Sequence, residues 1–210
     1  MEEQYISVPL NCRYFQLKAE GQARAHWYVL HGYGQLARYF IKKFTKLSAN
    51  GIHVTVPEGL HRFYLEGSSG RVGASWMTKE DRETDIANYI QVLNALHHNN
   101  ERANDKLERV LFGFSQGCAT AMRWLCLGDV SFDHVIMWAG SFPTDLPLGE
   151  VKAKLKNTKL TLVIGDDDEF IKSQHIIELQ DLLDQANIEY DLLRFQGGHH
   201  IDEFTLLKLI

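Results

Sequence analysis

Six apolar runs of strand length recur along this chain, and helical spacing follows them. They are Ala25–His31, His53–Val56, Arg109–Phe114, His134–Ala139, Leu160–Ile164 and Glu189–Phe195. Helices are expected where apolar residues return every three or four positions. Leu36, Phe40, Phe44 and Leu47 do so, as do Ile86, Tyr89, Ile90, Leu93 and Leu96. Further helices are expected over 116–127, 149–155, 170–186 and 202–209. Near-continuous apolar strands alternating with helices predict an α/β fold, a mostly parallel sheet covered on both faces. Residues 5–10 and 13–19 read as two opening strands, an antiparallel addition at one edge. Residues 57–78 read as a long irregular segment, and Thr78 with Asp81 resembles a capping box before the next helix.

Composition agrees with one domain spanning 1–210. The chain is 45% hydrophobic and 23% charged, ordinary for a soluble protein. A chain of this length buries roughly 70% of its unfolded surface, so no disulfide or metal staple is required. A net charge of −5 gives no electrostatic footprint for nucleic acid. No apolar run approaches the length of a membrane span. The acidic start, Met1-Glu2-Glu3, lacks the pattern of a signal peptide, and cysteines 12, 118 and 126 form no recognisable framework. A cytoplasmic monomer or homodimer is expected.

In open parallel sheets, ligands bind beyond the carboxyl ends of the strands. Chemistry-bearing residues collect there. The run at Ala25 ends in His31-Gly32-Tyr33-Gly34. The central one ends in Gly113-Phe114-Ser115-Gln116-Gly117. Later ones end in Gly165-Asp166-Asp167-Asp168 and Gly197-Gly198-His199-His200. G-x-S-x-G between a strand and a helix is the pattern of a nucleophile on a sharp turn. Side chains at Gly113 and Gly117 would collide across such a turn, and Ser115 would project at a helix start that favours negative charge.

A serine hydroxyl needs an adjacent base. His199 and His200 both stand in the right loop. An acid that orients the imidazole could be Asp166, Asp167, Asp168 or Glu169, and spacing alone does not choose. The N–H groups of Gln116 and Tyr33 are placed to form an oxyanion hole.

LHGYG, GFSQG, GDDDEFI and GGHHI together resemble the phospholipase/carboxylesterase family of α/β-hydrolases, which includes acyl-protein thioesterases. The resemblance runs from about Trp27 to Ile201. It implies an α/β-hydrolase fold with no large lid domain, Asp168 as the acid, His199 as the base, and Tyr33 and Gln116 as the oxyanion residues. Two departures stand out. Glu169 follows the acid where the family has proline, and the segment 58–82 is not the usual short loop. That segment is expected to build the substrate pocket through Trp76 and Met77. Trp138 and Phe142 are candidates for another wall, although Trp138 could equally be core.

The expected activity is hydrolysis of small, accessible carboxylic esters or thioesters through a Ser-His-Asp triad and an acyl-enzyme, without cofactor or metal. A lysophospholipase or acyl-protein thioesterase is the alternative. A non-catalytic binding protein on the same fold is the rival from another class. Dehalogenases and epoxide hydrolases are disfavoured, because their nucleophile would be an aspartate at position 115.

Overall fold

A computed structural model describes residues 1–100 and 106–210. Seven strands form the main sheet: β1 (Tyr14–Leu17), β2 (Ala25–Leu30), β3 (Ile52–Pro57), β6 (Glu108–Phe114), β7 (His134–Trp138), β8 (Lys159–Gly165) and β9 (Asp191–Phe195). Their order across the sheet is β1-β3-β2-β6-β7-β8-β9. Only β1 runs antiparallel, against β3; all other neighbours are parallel. The helices are α1 (Ala37–Phe40), α2 (Thr45–Ala49), α3 (Arg82–Asn100), α4 (Gln116–Leu127), α5 (Leu148–Leu155), α6 (Ser173–Gln185) and α7 (Glu203–Leu207), with a 3-10 turn at Ile41–Phe44. The architecture is that of an α/β-hydrolase, and no large extra domain is added to it.

Successive strand side chains face opposite sides, so one strand feeds two cores. Tyr28 and Leu30 of β2 pack with Leu93 of α3, Trp124 of α4 and Leu183 of α6. Trp27 and Val29 pack on the other face with Phe44, Leu47 and Leu206. Both faces are therefore dry, which explains why the strands read as continuous apolar runs rather than alternating ones.

Three expectations are corrected. Residues 5–10 form no strand. Val8 and Leu10 are each 68% exposed: β1 is itself the edge strand, and among the described residues its outer side has no partner. Residues 57–78 are not irregular: β4 (His61–Glu66) and β5 (Ser69–Ser75) form an antiparallel hairpin. Its two-residue turn is Gly67-Ser68, with Gly67 at φ 74°. Finally, Thr78 and Asp81 make no capping box. The Thr78 N–H donates to Asp85 Oδ2 at 3.1 Å, Asp81 takes a positive φ of 47°, and α3 starts at Arg82.

The hairpin is not a loose excursion. Gln35 and Ala74 form a single bridge between the turn after β2 and the end of β5. Gly73 packs so closely on the Gly34 backbone that an added Cβ would lie 2.5 Å from the Gly34 carbonyl oxygen. The hairpin thus docks on the carboxyl edge of the sheet.

Candidate active site

The turn after β6 carries Ser115 at φ 53°, ψ −117°, a conformation that costs energy for a residue with a Cβ. Its surroundings hold it there. The Ser115 N–H donates to the Trp138 carbonyl at 2.9 Å, and Cys118 N–H returns to the Ser115 carbonyl at 3.0 Å. A Cβ on Gly113 would lie 2.5 Å from the Gly117 carbonyl, and one on Gly117 would overlap the Leu30 carbonyl. The second glycine therefore serves the approach of α4 to β2, beyond the turn itself.

The turn after β2 lies against this serine. A Cβ on Gly32 would sit 3.1 Å from the Ser115 Cβ. His31 organises the turn from beneath. Its Nε2 accepts from the Gly59 N–H at 2.9 Å, so its Nδ1 carries the proton and donates to the Gly32 carbonyl at 2.8 Å. Burial holds the His31 pKa below the ordinary histidine value, in keeping with that neutral form. Gly32 N–H donates to Gln35 Oε1 at 2.9 Å, Gly34 N–H to Ala74 O at 2.9 Å, and Gln35 N–H to Gly32 O at 3.2 Å. Among residues 32–35, only the Tyr33 N–H has no acceptor among the described residues. The Gln116 N–H, at the start of α4, likewise has none.

The aspartate run separates into distinct partners. Asp166 accepts from Arg194 Nε at 2.7 Å and Gln196 Nε2 at 2.5 Å. Asp167 is exposed. The Asp168 side chain is fully covered. Its Oδ2 meets His199 Nδ1 at 2.8 Å, while Oδ1 accepts the N–H groups of Phe170 and Ile171 at 2.8 and 3.0 Å. With both oxygens bonded, the carboxylate has one orientation. His199 packs between Phe114, the residue before Ser115, and Phe170, at ring separations of 4.9 and 4.7 Å. His200 turns away, its ring edge-on to Phe195 at 5.5 Å, and its carbonyl accepts the Trp138 indole N–H at 2.9 Å. Ser115, Asp168 and His199 thus stand at the carboxyl edge of the sheet, beyond β6, β8 and β9.

A serine hydrolase family model matches residues 23–204. The chain belongs to the serine hydrolase (FSH1) family. No curated protein matches it. Among solved structures, it superposes on Zea mays acyl-protein thioesterase 2 with a TM-score of 0.70 at 19% identity, covering 94% of this chain and 95% of that one. It superposes on esterase PE8 with a TM-score of 0.70 at 22% identity, covering 95% and 96%. A carboxylesterase from Mesorhizobium loti gives 0.71 at 16%, covering 94% and 92%. At these identities the structures share the fold, and they agree with the resemblance to the phospholipase/carboxylesterase family.

In this serine hydrolase, three of the four residues expected to line a pocket, Trp76, Trp138 and Phe142, are buried, and Met77 is half-buried. Trp76 is buried, with its indole N–H donating to the His31 carbonyl at 2.8 Å. Trp138 is wholly buried in the core and anchors the His200 backbone. Both are too enclosed to be open pocket walls. Phe142 is buried in the core on the α4 side. Met77 is half-buried, its sulfur 3.6 Å from Arg123 Nη1. That buried arginine forms a two-pronged pair with Asp145 at 2.8 and 2.9 Å, which holds the Asp145 pKa well below the usual carboxylate range. Arg62 and Arg71 pair with Glu58 and Glu66.

Three contributors are absent from the sequence reading: the Gln35 amide, which occupies the Gly32 N–H; the Gln116 side chain; and Phe170, 62% exposed beside His199. Of these, only Phe170 left a signal, as an aromatic two residues after the acid. Among the described residues, no group of three or more His, Cys, Asp or Glu side chains could hold a metal ion, and no helix is long and apolar enough to cross a membrane.

Proposed function

We propose that this serine hydrolase cleaves small carboxylic esters through an acyl-enzyme on Ser115, with the whole chain acting as one domain. The supporting observation is the 2.8 Å contact between Asp168 Oδ2 and His199 Nδ1. It leaves Nε2 as the proton acceptor on a ring packed beside Phe114.

His199 Nε2 takes the Ser115 hydroxyl proton as Oγ bonds to the acyl carbon. The carbonyl oxygen becomes an oxyanion and receives the Tyr33 and Gln116 N–H groups. The carbon–oxygen bond to the leaving group then breaks, and His199 protonates the departing alcohol. Water repeats the sequence on the acyl-enzyme, and His199 takes its proton. The carboxylic acid and free Ser115 result. Asp168 remains ionised and keeps the proton on Nδ1. Thioesters would pass through the same steps with a thiol leaving, a reading supported by the likeness to an acyl-protein thioesterase.

The test is hydrolysis of p-nitrophenyl acetate. Ser115→Ala and His199→Ala should each lower kcat by about 10⁴-fold or more, while His200→Ala stays within a few-fold of the parent. Full turnover by Ser115→Ala would rule out the mechanism. Loss in His200→Ala with full activity in His199→Ala would reverse the base assignment.

A further inference from the structure

We propose that the side-chain amide of Gln116 is a positioning group for oxyanion stabilisation: it ties the end of β5 to the Ser115 turn and thereby fixes the spacing of the two backbone donors. The inference rests on the reading of Ser115 as nucleophile and concerns a part of the residue that reading does not use.

Gln116 stands next to Ser115, and its side chain reaches back to the hairpin. Its Nε2 donates to Ser75 Oγ at 3.0 Å and to the Met77 carbonyl at 3.1 Å. Its Oε1 accepts the Trp76 N–H at 3.3 Å. Ser75 Oγ in turn donates to the Met77 carbonyl at 2.7 Å. Ser75 and Trp76 are each 1% exposed, so these groups have little water to replace a lost partner.

The same short segment grips the other donor. Ala74 exchanges backbone bonds with the Tyr33 turn, at 2.9 Å to Gly34 N–H and 3.2 Å from Gln35 O. The Trp76 indole holds the His31 carbonyl at 2.8 Å. Residues 74–77 therefore bridge the two strand-end turns that carry Tyr33 and Gln116. The Gln116 backbone is already fixed by α4. The Tyr33 turn, with Gly34 at φ 73°, is held from the hairpin side by Ala74. Among the hydrogen bonds of residues 75–77, the Gln116 side chain joins the residue next to Ser115 to the hairpin, and farther along α4 Arg123 adds a 3.6 Å contact from its Nη1 to the Met77 sulfur.

A glutamine suits the position because one group must accept from Trp76 N–H and donate to Met77 O together. An ionised carboxylate only accepts and would face the Met77 carbonyl with a lone pair. A protonated carboxyl group can do both. Gln116→Glu should therefore behave as a pH-dependent mimic of glutamine.

The experiment measures kcat and KM for p-nitrophenyl acetate from about pH 8 to about pH 5, a range chosen to approach the ordinary Glu value near 4.3. The parent, Gln116→Ala, Gln116→Glu and Ser75→Ala proteins are compared. Gln116→Ala should lower kcat by about 10- to 100-fold, less than complete loss of an oxyanion donor, with KM within about three-fold. The Gln116→Glu deficit relative to the parent should shrink as pH falls, and the Gln116→Ala deficit should not. Ser75→Ala should show a smaller fall in kcat alone. Unchanged kcat in Gln116→Ala, or a Gln116→Glu deficit constant across the pH range, would overturn the inference. If Gln116→Ala fails to fold by circular dichroism, the near-isosteric Gln116→Glu pH ratio decides. A parent protein inactive toward every ester would instead overturn the reading of Ser115, and this inference with it.

Discussion

At the scale of residues, the difference between Asp168 and its neighbours is a matter of what surrounds each carboxylate. Asp166 is neutralised by Arg194 across the neighbouring strand, Asp167 faces solvent, and Asp168 is covered and accepts three hydrogen bonds. A carboxylate so held can orient an imidazole, because reorienting it would break bonds to two backbone N–H groups. Asp168→Asn keeps the shape but can stabilise the wrong imidazole tautomer, so kcat should fall by about 10⁴-fold with little loss of folded protein, read by ester turnover and thermal melting. Little of this discrimination was legible in the sequence. Three consecutive aspartates and two consecutive histidines offer the same chemistry at adjacent positions, and the selection among them is made by β8 and β9 pairing and by the direction of each turn. Family resemblance pointed to Asp168 and His199, and the contact between them is one that spacing could not supply. The pocket residues fared differently. Trp76, expected to build the pocket from the 58–82 segment, and Trp138, expected as either a wall or core, each donate their one indole N–H to a backbone carbonyl inside the fold.

Elements were far more legible than side-chain partners. β6 and α4 were placed within a residue, because an apolar strand, a glycine-flanked serine and a helix form one physical unit. Gly117 shows how tightly that unit closes on β2. Gly117→Val puts branched carbon where the Leu30 and His31 carbonyls lie. It should abolish soluble folded protein or cost at least about 3 kcal/mol, measurable by urea denaturation; wild-type stability would contradict the packing described. The β4–β5 hairpin leaves little mark in the sequence for a definite reason. Its first strand is almost wholly exposed, so no apolar alternation marks it, and its register shifts between Tyr64 and Glu66. The Gly67-Ser68 pair was the available signal. Conversely, Ile6, Val8 and Leu10 alternate like a strand, yet periodicity describes a face that could be buried and does not provide a partner strand.

For the molecule as a whole, acid should erode stability through histidines held neutral by burial. His26 and His134 are both pushed down to about 4, chiefly by desolvation. In the unfolded chain they titrate near 6.5, so between about pH 6.5 and about pH 4 the unfolded state binds more protons and folding weakens as pH falls. Each should cost up to about 3 kcal/mol across that window. Urea midpoints measured from pH 7 to pH 4 should fall accordingly, and His134→Asn should flatten part of the slope; a profile level to pH 4 would contradict it. The doubly covered parallel sheet and the carboxyl edge where Ser115, Asp168 and His199 stand follow from the strand–helix alternation of the sequence. The central claim is that this edge makes Ser115 a nucleophile. Its most direct test is intact-protein and peptide mass spectrometry after treatment with a fluorophosphonate. One phosphonyl group on Ser115, abolished in Ser115→Ala and strongly slowed in His199→Ala, is the predicted result. An unmodified protein, or modification at another residue with Ser115 untouched, would contradict the account.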